Sequence, residues 1–294
     1  MSSPILVIGE ALVDEFHDGH VAGGAPFNVA RSLAAFNAPV RFVSRIGADD
    51  AAGRRVLASA VQFGLSVAGI QRDAVHATGR VSVHEEEGGG HRFEIHADAA
   101  WDHLECPVVL GPGIVYFGSL AQRHPVSRAA IRATVKRSGG LRLLDLNLRP
   151  GTDTSGLAAE SLMLADWVKI NEDELDRLRA WFEPDLPALM ARFALQGLVV
   201  TRGAQGYACY GEAGRLLANG AGVAQPAFVD SVGAGDSFTA MLLAGLSLHR
   251  DLAATLALAN RYAAMICGVR GPLAADPTVL APWREALHAL PAQG

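Results

Sequence analysis

At 294 residues, half of them hydrophobic, the chain is long enough for one large α/β domain with a small addition, and it can bury a substantial core. A formal net charge of -5 with only 19% charged residues excludes a basic surface for nucleic acid or an acidic-lipid patch, so the expected partner is a small molecule. Cys106, Cys209 and Cys267 have neither metal-ligand spacing nor an even count, and are expected as buried, reduced thiols of a cytoplasmic protein.

Residues 4–9 form a continuous apolar run closed by Gly9, as in a strand buried on both faces, with no basic residue before it of the kind a signal peptide carries. Glu10 and Asp14 follow where that strand leaves the core. Asp14 is a candidate to hold a ligand hydroxyl, with a solvated loop acid as the alternative. Gly23-Gly24-Ala25-Pro26-Phe27-Asn28 opens an apolar-periodic helix; Gly24 allows close backbone approach and Asn28 offers a donor and an acceptor. A strand over 40–46, a helix over 49–63 and a short strand over 67–70 come next. Residues 78–96 alternate around the polar turn at 85–90, which predicts a hairpin serving as a lid or a dimer flap.

The βα alternation then resumes, with strands over 114–117, 141–146, 167–170, 198–201 and 207–210, and final helices over 235–248 and 252–269. This order predicts a mainly parallel sheet covered on both faces. Arg250, Asp251 and Arg261 interrupt the longest apolar region near the C-terminus, so no membrane span is expected. Polar groups gather at strand ends. Asp145, Asn147 and Arg149 close one strand, and Pro150 stops regular structure; Arg149 suits a phosphate or carboxylate, or a surface salt bridge. Asn171 and Glu174 open a helix, three residues apart, where they either position a hydrated Mg²⁺ or simply complement the helix dipole. Thr201, Gly203 and Gly206 lie in a turn that suits phosphates or an ordinary hairpin.

The sequence Asp-Ser-Val-Gly-Ala-Gly-Asp at 230–236 precedes an apolar helix, and glycine amides at a helix N-terminus favour an anion. Asp236 in the first turn would sit beside that anion, as a base acting on an attacking hydroxyl must; an ordinary glycine turn with a helix-start acid reads the same in isolation. Neither a Walker A sequence nor a Gly-x-Gly-x-x-Gly after the first strand is present.

Taken together these segments resemble the ribokinase-like (PfkB) carbohydrate kinases, most of all the bacterial fructokinases, from Gly9-Glu10-Ala11-Leu12-Val13-Asp14 to the helix of Asn260. The 230–236 stretch is similar to the family's Asp-Thr-x-Gly-Ala-Gly-Asp signature, with Ser231 in place of threonine. The resemblance implies a single three-layer α/β/α domain over 1–294 with a small β lid from about 15–22 and 78–98. It implies ATP and Mg²⁺, with K⁺ near Asp230, although Val269-Arg270-Gly271-Pro272 matches the cation loop only loosely. It further implies Asp236 as the catalytic base and the amides of Gly233, Ala234 and Gly235 as the anion hole. Asp14, Gly24 and Asn28 match its sugar-binding positions, and Arg149 reaches toward the substrate side. Asn171 and Glu174 match its Mg²⁺-organising motif, Thr201, Gly203 and Gly206 its nucleotide turn, and Asn260 its adenine pocket. The implied reaction is phosphorylation of a sugar, fructose first, with ribose, 2-keto-3-deoxygluconate or a nucleoside as alternatives and a non-enzymatic sugar-binding protein as another. The apolar face of the hairpin suits burial against the ligand or against a second subunit, a homodimer through the β lid.

Overall fold

A computed structural model describes residues 2–17, 19–85, 91–107, 113–149 and 154–293. The expected acidic-glycine turn beyond Glu85, and Pro150, lie outside the described residues. The strands are β1 (Ile5–Ile8), β2 (Leu12–Phe16), β3 (Gly19–Gly23), β4 (Val40–Gly47), β5 (Ile70–Asp73), β6 (Gly79–Glu85), β7 (His91–Ile95), β8 (Ile114–Gly118), β9 (Leu141–Asp145), β10 (Trp167–Asn171), β11 (Gly197–Thr201), β12 (Tyr207–Gly211) and β13 (Leu216–Gly220). The helices are α1 (Ala25–Ala35), α2 (Ala51–Gln62), α3 (Pro125–Arg137), α4 (Ser155–Leu162), α5 (Glu172–Trp181), α6 (Leu186–Arg192), α7 (Ala234–Ser247), α8 (Leu252–Ile266) and α9 (Ala281–Ala289).

Nine strands form one sheet in the order β13-β12-β11-β10-β9-β8-β1-β4-β5. It is parallel from β11 to β5, and β12 and β13 add antiparallel strands at one edge. Adjacent residues of a strand point to opposite faces, and the core divides accordingly. Val7, Tyr116, Leu143 and Val199 join the cluster of α1, α7 and α8, whereas Ile8, Phe117, Leu144 and Val200 join the cluster of α3, α4 and α6. That division is the three-layer α/β/α arrangement. A second sheet, ordered β3-β2-β6-β7, is the β lid. The antiparallel hairpins β2-β3 and β6-β7 meet through the parallel pair β2-β6.

Three local expectations need correction. Residues 67–69 form a 3-10 turn capped by Ser66, and the strand starts only at Ile70. Asp14 lies within β2 of the lid, not at the end of β1, because the chain turns out of the core at Glu10 and starts a new strand at Leu12. Cys209 is buried, but Cys267 is half-buried and Cys106 exposed. The four-stranded lid also uses a hairpin at 12–23 that the expected boundaries caught only in part, and α9 was not expected at all. Among the described residues no helix is long and apolar enough to cross a membrane.

Candidate active site

The carboxyl ends of β1, β9, β10 and β11 open into a polar cavity of about 420 Å³, walled by Glu10, Asn147, Arg149, Lys169, Asn171 and Thr201. Such a crevice is where an open α/β sheet exposes side chains and backbone termini together. The lid supplies Leu12, Asp14, Val81 and Ile95, α1 supplies Asn28, and Gly233, Gly235 and Asp236 form the floor. An apolar cavity of about 470 Å³ adjoins it, lined by Val223, Phe228, Phe238, Ala263, Ala264 and Asn260. The two share Thr201, Gly203, Ser231 and Gly235 as a common wall.

Ser231 and Gly235 bring the start of α7 into that wall, opposite the end of β11. Gly233 caps the helix with φ 77°, and a Cβ there would lie 2.3 Å from the Pro272 carbonyl, so only glycine fits the turn. Asp230 supports the loop: it accepts from the Val232 amide at 2.8 Å and from the Gly271 amide at 3.3 Å. Ser237 and the rest of α7 run into the core, which fixes the direction in which the first-turn amides point.

Asp236 is recessed at the junction. Burial raises its carboxyl above the ordinary range, against the pull of a hydrogen bond from Asn28 Nδ2 at 2.8 Å. The cleft thus holds this carboxyl partly out of water. Asn28 itself accepts from Arg31, whose guanidinium is buried and also donates to the Ala22 carbonyl at 2.9 Å. Arg31 to Asn28 to Asp236 is thus a chain of donors that aims the acid, and it commits part of Asn28 to Asp236 in place of a ligand.

A second charged group in the wall of this cavity, Lys169, was passed over by sequence reasoning. Lys169 Nζ sits 3.2 Å from both oxygens of Asp145, and Thr239 donates to Asp145 Oδ2 at 2.9 Å. Burial works against the Lys169 charge, but Asp145, Glu174 and Asp236 outweigh it and raise its pKa. Its signal was a single lysine inside the otherwise buried strand Trp-Val-Lys-Ile-Asn. Glu174 does not line the cavity. Its oxygens accept from the Leu148 amide at 2.6 Å and the Asn171 amide at 2.8 Å, while Asn171 accepts from the Glu174 amide, a reciprocal cap that presents Asn171 at the rim. Asn260 borders the apolar cavity, its Nδ2 donating to the Ala221 carbonyl at 2.8 Å. Gly24, φ 103°, packs against the Glu10 carbonyl, and Gly206 lines the apolar side.

Two more carboxyls face the polar cavity. Burial pushes Glu10 and Asp14 up to about 7, Arg149 opposing the shift in each case. Glu10 is 3% exposed, and its Oε2 has no hydrogen-bond partner. Because its folded pKa lies above the ordinary 4.5, the fold binds the protonated form better. The stability it contributes is full below about pH 4.5 and is lost as pH rises through about 7. Urea unfolding of the ligand-free protein at pH 5 and pH 8 should show that loss, on the order of 2 kcal/mol, shrink in Glu10→Gln. Parallel pH profiles for the two proteins would show that Glu10 is not desolvated.

The pfkB family carbohydrate kinase model matches residues 6–279. The fructokinase of Klebsiella pneumoniae is 32% identical, over 94% of this chain and 97% of its own length. Among solved structures, Vibrio cholerae fructokinase bound to fructose, ADP and calcium is similar with TM-score 0.81 and 26% identity, covering 98% of this chain and 99% of that one. The aminoimidazole riboside kinase of Salmonella enterica, complexed with aminoimidazole riboside and an ATP analogue, is similar with TM-score 0.80 and 25% identity, covering 96% and 99%.

Proposed function

Because the chain belongs to the pfkB family of carbohydrate kinases, we propose that it transfers the γ-phosphoryl group of ATP to a primary hydroxyl of D-fructose, giving fructose 6-phosphate. The observation that carries this reading is the pair of cavities, one polar and one apolar, meeting at the first turn of α7. A two-substrate phosphoryl transfer needs its acceptor and its donor to touch at one point, with amides facing the transferring group.

In this reading the sugar occupies the polar side, its hydroxyls within the reach of Asp14, Asn28 and Arg149, and its reacting hydroxyl beside Asp236. The hydroxyl attacks the γ-phosphorus in line, and Asp236 takes its proton late, since a loose transition state asks little of a base early on. The amides of Gly233, Ala234 and Gly235 offset the charge of the transferring group, where losing one donor costs roughly 3 kcal/mol in comparable sites. The adenine lies in the apolar cavity toward Asn260. Of the acids on the nucleotide side, Asp145 is committed to Lys169 and Thr239, and Glu174 to two amides. That fits Mg²⁺ carried by the nucleotide with its water shell: Asn171 and Glu174 would help to hold that shell, and the ion would supply charge neutralisation of the phosphates.

Fructose is supported by the Klebsiella fructokinase and by the Vibrio fructokinase bound to fructose. A riboside is the second reading, because Leu12, Val81 and Ile95 give the lid side of the cavity an apolar strip on which a base would fit. ADP release measured across fructose, ribose, 2-keto-3-deoxygluconate, adenosine and aminoimidazole riboside decides between them. Fructose is expected to give the highest kcat/KM; an order-of-magnitude preference for a riboside overturns it, and no turnover with any acceptor favours a sugar-binding protein. Running the panel with and without K⁺ tests the cation role of Asp230.

A further inference from the structure

Away from the cleft, His76, Asp98 and His103 bring one ligand atom each to within 4.8 Å of one another. None of them lines either cavity. His103 Nε2 is 3.0 Å and His76 Nε2 3.7 Å from Asp98 Oδ1. These separations bracket the ligand-to-ligand edge of about 3.3 Å that a tetrahedral ion with bonds near 2 Å requires. We propose that these three side chains form a binding site for one Zn²⁺ ion at the root of the β6-β7 hairpin.

The surroundings of His76 supply the independent support. Its Nδ1 faces Asp73 Oδ2 at 3.1 Å, and its backbone amide donates to Asp73 Oδ1 at 2.8 Å. Asp73 is 4% exposed and is fixed in turn by Arg45 Nε at 2.7 Å. A carboxylate that accepts from Nδ1 leaves the proton there and the Nε2 lone pair toward the other two ligands, which is the carboxylate-histidine-metal arrangement. Two imidazoles and a carboxylate suit Zn²⁺ over Mg²⁺ or Ca²⁺, which prefer oxygen alone, and leave the fourth position to water.

The rings of His76 and His103 are stacked, with centroids 3.6 Å apart and planes at 12°. Their lone pairs therefore run side by side, and one ring must turn to share an ion. His76 is held by Asp73, so His103 is the ring that turns. His124 lies beyond it, ring centroid 4.8 Å away. His76 precedes the first residue of β6 by three positions, and Asp98 follows the last residue of β7 by three. An ion held there joins the two ends of the hairpin.

The test uses the full chain, stripped with EDTA and exchanged into metal-free buffer without nucleotide. Titration with ZnCl₂ against a chromophoric chelator should give one ion per chain with micromolar or tighter affinity. Binding should weaken at least tenfold in His76→Ala and in His103→Ala, and about 10- to 100-fold in Asp73→Asn, which removes no ligand atom. Zn²⁺ should raise the Tm of the parent protein but not of His103→Ala, whose far-UV circular dichroism in EDTA should match the parent. Weaker than micromolar binding, or an affinity unchanged in both histidine variants, overturns the proposal.

Discussion

Replacing Asp236 by asparagine is expected to lower kcat by about 10²–10⁴-fold, the usual contribution of a positioned base, while sugar affinity measured by calorimetry changes little. Asparagine keeps the shape and can still accept from Asn28, so the Arg31-Asn28 chain of donors remains in place. What is lost is the capacity to take a proton. The same substitution removes a carboxylate whose burial raises its pKa, so the variant should be at least as stable as the parent at pH 8 and the loss of turnover cannot be blamed on unfolding. Near-normal turnover in a coupled ADP assay would remove Asp236 from the role of base. A drop in turnover matched by a drop in Tm would instead make it a structural acid.

The second large effect is expected from Lys169→Met. Lys169 and Asp145 are 6% and 1% exposed, and removing one partner of a buried pair typically costs 3–5 kcal/mol, because the other charge stays behind without compensation. Urea unfolding should show a loss of about that size. Thr239 would still donate to the Asp145 carboxylate. Adding Asp145→Leu to Lys169→Met should recover much of the loss, since the double variant leaves no orphan charge. If the single variant loses less than about 1 kcal/mol, water reaches the pair and Lys169 does not hold the floor. Its Nζ also stands 3.0 Å from where a Cβ on Gly235 would be, so a fall in kcat beyond the stability effect would place it among the groups that position the anion-binding turn.

The parts of this architecture legible in the sequence were those written in short-range pattern. The continuous apolar run Ile5–Ile8 and the glycine start of α7 announce a buried strand and a helix N-terminus without any knowledge of neighbours. The hairpin at β6 and β7 was readable by its period of two. What could not be read depends on pairings across long separations. Asn28 and Asp236 are 208 positions apart, and nothing local says that an asparagine on the first helix is spent on aiming an acid near the end of the chain. Arg31 looks like a surface residue of an amphipathic helix until the lid and Phe63 close over it. Glu174 shows two readings sharing one spacing: its separation from Asn171 is equally that of metal organisers and of a helix cap, and the reciprocal hydrogen bonds show how its oxygens are engaged in the ligand-free fold. Asp14 lines the cavity but was misplaced in the fold, since a strand that leaves one sheet and a strand that begins another look alike over five residues.

The walls of the polar cavity come from two separate bodies of structure. Asp236 and the turn before it are anchored in a helix packed within the main core, whereas Leu12, Asp14, Val81 and Ile95 belong to the lid sheet. A change at Leu12, Val81 or Ile95 therefore reshapes the lid side of the cavity while α7 stays packed in the main core, whereas β3, whose Ala22 carbonyl accepts from Arg31, is tied to Asn28 and Asp236. Selection for a new sugar can proceed through the lid by small steps, each leaving the phosphoryl-transfer chemistry intact, and this division of labour gives one scaffold a route to many acceptors.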